Sequence, residues 1–78
     1  MIHKLKIRPE YLARIKSGEK TSEIRFNDRD FQCEDVVELY EIHNGIASIV
    51  CTFKYRITHV HSGLGMADNY VVLSLTGL

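Results

Sequence analysis

Lys20, Glu23 and Arg25 stand close together in one short stretch, Gly18-Glu19-Lys20-Thr21-Ser22-Glu23-Ile24-Arg25. These residue types can do recognition chemistry. A guanidinium presents a planar fork of donors that grips a phosphate or the edge of a guanine in two places. A lysine adds a compact positive charge, and a carboxylate can orient the fork or accept from a base amino group. The same residues also fit a plainer account, in which opposite charges on an exposed strand pair weakly across its surface.

Two elements must position them. Gly18 follows a short helical pattern, where a left-handed capping residue is needed and glycine meets no Cβ clash. Pro9 and Glu10 suit the first turn of that helix, and Tyr11, Leu12 and Ile15 recur at helical spacing. After Gly18 the pattern alternates. In an extended strand Thr21, Glu23 and Arg25 share one face, with Ser22, Ile24 and Phe26 on the other. The expectation is that Ile24 and Phe26 are buried and the charges lie open.

Other strands follow from similar patterns. Residues 2 to 7 alternate, with His3, Leu5 and Ile7 on one side and a basic outer stripe of Lys4, Lys6 and Arg8 on the other. Asn27-Asp28-Arg29-Asp30 is a polar turn cluster, and Phe31 and Cys33 are expected to anchor it in the core. Val36 to Ile42 is a strand, and His43-Asn44-Gly45 signals a hairpin. From Ala47, one face carries Ile49, Cys51, Phe53, Tyr55 and Ile57, a register that His59 continues. So long a strand must bend around a barrel or break at a bulge. A loop of residues 61–69 leads to a last strand, Tyr70 to Leu75.

The spacing G-x-K-x-x-E-x-R, carried by Gly18, Lys20, Glu23 and Arg25, resembles the signature of ASCH domains, small β-barrels of the PUA-like superfamily associated with RNA. The likeness extends through His3-Lys4-Leu5-Lys6-Ile7, Asn27-Asp28-Arg29-Asp30-Phe31 and Tyr70-Val71-Val72-Leu73, and is to a compact bacterial and phage branch of unknown function. It implies a single domain over residues 1–78: an α+β, PUA-like mixed β-barrel of about five strands with one short helix after strand one. It implies an RNA-binding or nucleotide-binding module whose cleft lies beside the signature strand. The candidate contacts are Lys20, Glu23, Arg25, Asn27, Arg29, Lys6 and Arg8. A protein-interaction module is a further alternative, which an apolar surface patch would favour.

Composition bounds these readings. Ten basic and ten acidic side chains cancel over 78 residues, so any affinity for a polyanion must come from local placement. Cys33 and Cys51 are the only cysteines and lack metal-type spacing. Two cysteines are few for a secreted domain this small, and Met1-Ile2-His3-Lys4 runs straight into patterned sequence, so a reduced, cytoplasmic protein with free thiols is expected. No apolar run approaches a membrane span. His59 and His61 could form half a metal site with His3 or Cys33, but no second close pair completes one, and neither metal nor cofactor is expected. Gly63 and Gly65 lack the Lys-Ser/Thr pair and helix of a phosphate-cradling loop.

Some small ASCH-like proteins are amidohydrolases acting on acetylated cytidine. The resemblance implies a signature lysine, a threonine nucleophile three residues later and a glutamate from a later insertion. Lys20 matches the first, but Glu23 occupies the nucleophile position, Thr21 and Ser22 are out of register, and the only acid in residues 61–69 is Asp68. A carboxylate cannot replace the hydroxyl in that mechanism, so no catalytic residue is assigned and an amidohydrolase acting on an acetylated cytidine-like nucleoside stands as the runner-up to RNA binding. Purified protein is therefore expected not to deacetylate acetylcytidine above background. Turnover that disappears in Lys20→Ala would restore the hydrolase reading.

Overall fold

The computed structural model describes residues 1–78, the side chains of residues 49–51 excepted. Five strands and one helix follow in the order β1 (Ile2–Ile7), α1 (Pro9–Ser17), β2 (Ser22–Phe26), β3 (Val36–His43), β4 (Ile46–His61) and β5 (Tyr70–Gly77). They form one sheet in the spatial order β1-β3-β4-β5-β2. β1 runs parallel to β3, and the other neighbours are antiparallel.

Local chemistry sets the element ends. Pro9 opens α1, and Gly18 closes it at φ 83°, its N–H donating to the Ile15 carbonyl at 3.1 Å. Asn44 and Gly45, with φ of 51° and 79°, form the two-residue turn joining β3 to β4. Leu12 and Ile15 of α1 join Leu5 and Ile7 of β1, Val37 and Leu39 of β3, Ile57, Val71, Leu73 and Phe31 in a single buried cluster.

The expected α+β PUA-like barrel is not what forms. The chain is mostly strand with one helix, and its sheet is open, because edge strands β1 and β2 share no ladder. Side chains span the gap instead. Arg25 Nη2 donates to the Lys6 carbonyl at 2.6 Å, and Arg29 Nη1 donates to the Lys4 carbonyl at 2.8 Å. Two guanidinium groups thus satisfy alternate carbonyls of β1 where a neighbouring strand would otherwise do so.

The facing of β2 is also the reverse of that expected. Glu23 is 8% exposed, whereas Ile24 and Phe26 are 61% and 50% exposed. The cause is register with β5. Glu23 pairs with Leu73 and Arg25 with Val71, both buried, so the charged residues share the inner face with them. Ile24 and Phe26 pair with Val72 and Tyr70 on the outer face.

A bulge corrects the end of β4. Ile57 pairs with Leu75 and His59 with Ser74, leaving Thr58 as an extra residue. The alternation therefore slips: Ile57 is buried, His59 is exposed and Val60 packs against the core. A second register shift lies between Leu39 and Glu41 of β3. Cys33, expected to be an anchor, is an exposed free thiol beside the Thr58 carbonyl, while Phe31 is buried as expected. The expected core-facing side chains of Ile49 and Cys51 lie outside the described residues.

The chain into β3 is fixed by Asp35. Its carboxylate accepts from His3 Nε2 at 2.8 Å and from the Gln32 N–H at 3.2 Å, while its carbonyl accepts from the Ile57 N–H at 2.8 Å. His3 is itself buried, edge-on to Phe31 with ring centroids 4.8 Å apart. The hydrogen bond from His3, helped by that from Gln32, holds the Asp35 carboxyl below its ordinary value against the opposing effect of burial. A depressed folded pKa contributes stability that is complete above the unfolded value and lost as pH falls through the folded one. Asp35→Asn should thus melt below the parent at neutral pH. The gap should close as pH drops below about 4, near the unfolded carboxylate value. Thermal melts from neutral to acid pH check this; a gap that persists unchanged in acid contradicts it.

Candidate nucleic-acid interface

β2 is short and lies at the edge, yet its inner face carries a charge network. Lys20 Nζ stands 2.8 Å from Glu23 Oε1 and also donates to the Ser22 carbonyl. Arg25 Nε donates to Glu23 Oε2 at 3.2 Å, with Nη2 3.0 Å from the same oxygen. Both oxygens of Glu23 are thus held by opposite charges, which is how a carboxylate tolerates this much burial. Arg25 Nη2 then reaches across to Lys6. Lys20, Glu23 and Arg25 do converge, as their spacing suggested, but on the inner face rather than the outer one.

The gap between β1 and β2 holds a cavity of about 290 Å³ lined by Lys6, Arg25, Arg29 and Asp28 with Leu5, Phe26, Phe31 and Tyr40. Three cationic residues line it against one acidic residue, Asp28, with the Glu23 carboxylate that Arg25 holds nearby. Among the described residues, the Lys6 ammonium and Arg25 Nη1 have no protein acceptor, and Arg29 gives Nη1 to Lys4 with Asp28 3.9 Å from Nε. Unused donors therefore remain on residues that line an open, partly aromatic space. An anion attached to a flat ring suits that lining.

The remaining candidates separate from this cavity. Lys20 and Glu23 line a neighbouring hollow with Tyr11 and Ile24, and Lys20 Nζ lies 5.9 Å from the centre of the Tyr11 ring. Arg8 is exposed, pairs with Glu10 at 2.9 Å and sits outside the cavity lining. Asn27 is structural: its Oδ1 accepts from the Phe31 N–H at 3.0 Å, and its own N–H donates to the Asn69 carbonyl at 2.7 Å. It also borders a different cavity, formed with the loop before β5. His61 Nε2 contacts the Leu64 carbonyl and His3 contacts Asp35, so the histidines considered for a metal are spread apart. Among the described residues no group of three His, Cys, Asp or Glu stands close enough to hold a metal ion.

Sequence reasoning missed Tyr40, Phe26 and Asp28. Tyr40 is opposite Lys6 in the parallel β1–β3 register, a pairing that no local pattern reveals. Apolarity alone points Phe26 to the core, where it does not lie. The available signal was the continuous apolar run Tyr70-Val71-Val72-Leu73, which leaves either face of β5 free to be the inner one.

The network has a measurable consequence. Glu23→Gln keeps the shape but leaves Arg25 and Lys20 half-buried without their counter-charge. The loss of charge-assisted hydrogen bonds should destabilise by about 1–3 kcal/mol. In a chain this size that is a melting-point drop of roughly 5 °C or more. An unchanged melting point would show that solvent already screens the network.

No curated protein matches the chain, and no helix among the described residues is long and apolar enough to cross a membrane. A family model described as Domain of unknown function (DUF3850) matches residues 2–75. With nearly its whole length covered, the chain belongs to that family.

Proposed function

We propose that the protein binds RNA, or a nucleotide of the same chemistry, in the cavity between β1 and β2. The carrying observation is that Lys6, Arg25 and Arg29 line one cavity together with Phe26 and Tyr40. Cations with spare donors suit a phosphate, and ring faces suit a base. The cavity's volume of about 290 Å³ is at the small end of ligand sites, so it fits one nucleotide rather than a duplex. The likeness of Gly18, Lys20, Glu23 and Arg25 to the ASCH signature supports the same reading, and with it a place for this family beside the ASCH domains.

In this reading the signature residues divide the work. Glu23 and Lys20 hold Arg25 in position, and Arg25 presents its leftover Nη1 donors to the ligand. Lys6 and Arg29 supply the phosphate contacts. Arg8 and Asn27 fall outside the contact set.

Lys6 gives the cleanest test because its ammonium has no carboxylate partner to lose among the described residues. Binding of a labelled single-stranded oligoribonucleotide would be followed by anisotropy across a salt series. Lys6→Ala and Arg29→Ala should each weaken binding several-fold and make the log K against log salt slope shallower by about 0.7, one single-strand phosphate contact. Arg25→Lys should weaken binding by roughly tenfold and also lower the melting point, since a lysine cannot serve Glu23, Lys6 and the ligand at once. A parent protein that binds no RNA, or slopes unchanged in both Lys6→Ala and Arg29→Ala, ends this reading.

A further inference from the structure

We propose that Phe26 and Tyr70 form a base-stacking platform on the outer face of β2 and β5, so that the protein selects unpaired, single-stranded RNA over duplex. The proposal rests on the reading of the β1–β2 cavity as a phosphate site and adds a second contact to it.

Ile24, Phe26 and Tyr70 are 61%, 50% and 42% exposed, an apolar cluster on an edge strand. Edge strands of this kind are open to unwanted pairing, so apolar residues exposed there call for a specific reason. Phe26 and Tyr70 are cross-strand partners, with ring centroids 5.5 Å apart and planes inclined at 76°. The edge-to-face contact fixes both rings and leaves ring surface open to solvent. Two restrained side chains of this type present a π-face at small entropic cost.

The position of the pair is what identifies its occupant. Phe26 lines the cationic cavity. Tyr70 lines a second cavity of about 320 Å³, bordered by Ser62, Asp68 and Asn69 and by Asn27, whose side-chain oxygen is already taken by the Phe31 N–H. The aromatic pair is therefore a step between a space where three cationic residues outnumber Asp28 and a space bordered by the Asn69 amide, the Ser62 hydroxyl and the Asp68 carboxylate, with no cation among the described residues. A phosphate suits the first, where cations outnumber the acid, and not the second, where Asp68 has no cation beside it in the described lining and a base edge finds donors and acceptors. A ligand that is anionic at one point, flat at the next and polar-edged at the third follows this path, and a nucleotide in a single strand has that order. A protein partner's apolar surface would match Ile24, Phe26 and Tyr70 but would leave the adjoining cations without a counterpart. Paired bases are closed to stacking, because their faces are already covered in the helix.

The test separates ring stacking from mere apolar contact and from the phosphate site. Phe26→Leu keeps apolar bulk but removes the π-face; Phe26→Trp keeps the face. Anisotropy with a short single-stranded oligoribonucleotide should show Phe26→Leu and Tyr70→Ala each weakening binding about tenfold, with the salt slope unchanged and Phe26→Trp near the parent. The same oligoribonucleotide annealed to its complement should bind the parent at least about tenfold more weakly, and be indifferent to Phe26→Leu. Both positions are half exposed, and thermal melts identify the folded fraction for correction. If Phe26→Leu and Tyr70→Ala bind the single strand like the parent while Lys6→Ala still loses affinity, the platform is refuted and the phosphate site stands. If Phe26→Leu abolishes concentration-dependent self-association in sedimentation but leaves RNA affinity alone, the face is an interface between copies and the proposal is overturned. If the parent binds neither form of RNA, the platform and the underlying reading fall together.

Discussion

Glu23 is a carboxylate on the inner face of an edge strand, and the arrangement of the candidate site depends on how it is held there. Lys20 takes one of its oxygens and Arg25 the other. Removing a carboxylate from water is tolerable only when its lone pairs find donors, and here both donors carry charge. Arg25, drawn inward by that demand, has its fork aimed across the sheet gap at the Lys6 carbonyl. One buried acid thus sets the direction of the guanidinium that spans β2 and β1.

That bridge explains why an open sheet can remain a stable edge-to-edge arrangement. The carbonyls of Lys4 and Lys6 are acceptors on the free edge of β1, and Arg29 and Arg25 satisfy them one each. A backbone ladder would do the same with closer spacing and would fill the gap. Side chains span a greater distance than a peptide hydrogen bond, so a cavity survives between the strands, lined by the groups that do the bridging. Structural donors and candidate ligand donors are the same atoms or their immediate neighbours.

Much of the strand order along the chain was legible, because alternation and turn chemistry are local. The Asn44-Gly45 hairpin, the helix between Pro9 and Gly18 and the inward set His3, Leu5 and Ile7 needed no tertiary information. What failed was each inference that depended on a partner strand. Polarity points the charges of β2 outward, yet its face is decided by Val71 and Leu73 of β5, whose own strand is apolar on both faces. Simple alternation puts His59 in the core, but it runs through Thr58, where the ladder inserts an extra residue. Closure into a barrel is the expectation from the length of β4 and the strand count as well as from family likeness, and it fails because nothing in the strand patterns specifies whether β1 and β2 meet. The grouping of Lys20, Glu23 and Arg25 was legible because three nearby residues must be neighbours. The joining of Lys6, Arg29 and Tyr40 to Arg25 was not, since it arises from strands brought together by the fold.

The reversal of β2 also changes what its residues are available to do. With charges outward and apolar groups inward, the strand would offer a solvated ion-pair surface, screened by water and weak in binding. With charges inward, the ion pairs sit where screening is reduced, and Arg25 is held in one orientation rather than many. The displaced apolar residues Ile24 and Phe26 then occupy the outer face, where Phe26 meets Tyr70 at the cavity rim. A single choice of register, Glu23 against Leu73, therefore creates both an ordered cationic interior and an exposed aromatic exterior on one five-residue strand. Shifting that register by one residue would return Glu23 to solvent and remove both surfaces together, because side chains on a strand exchange faces with every step.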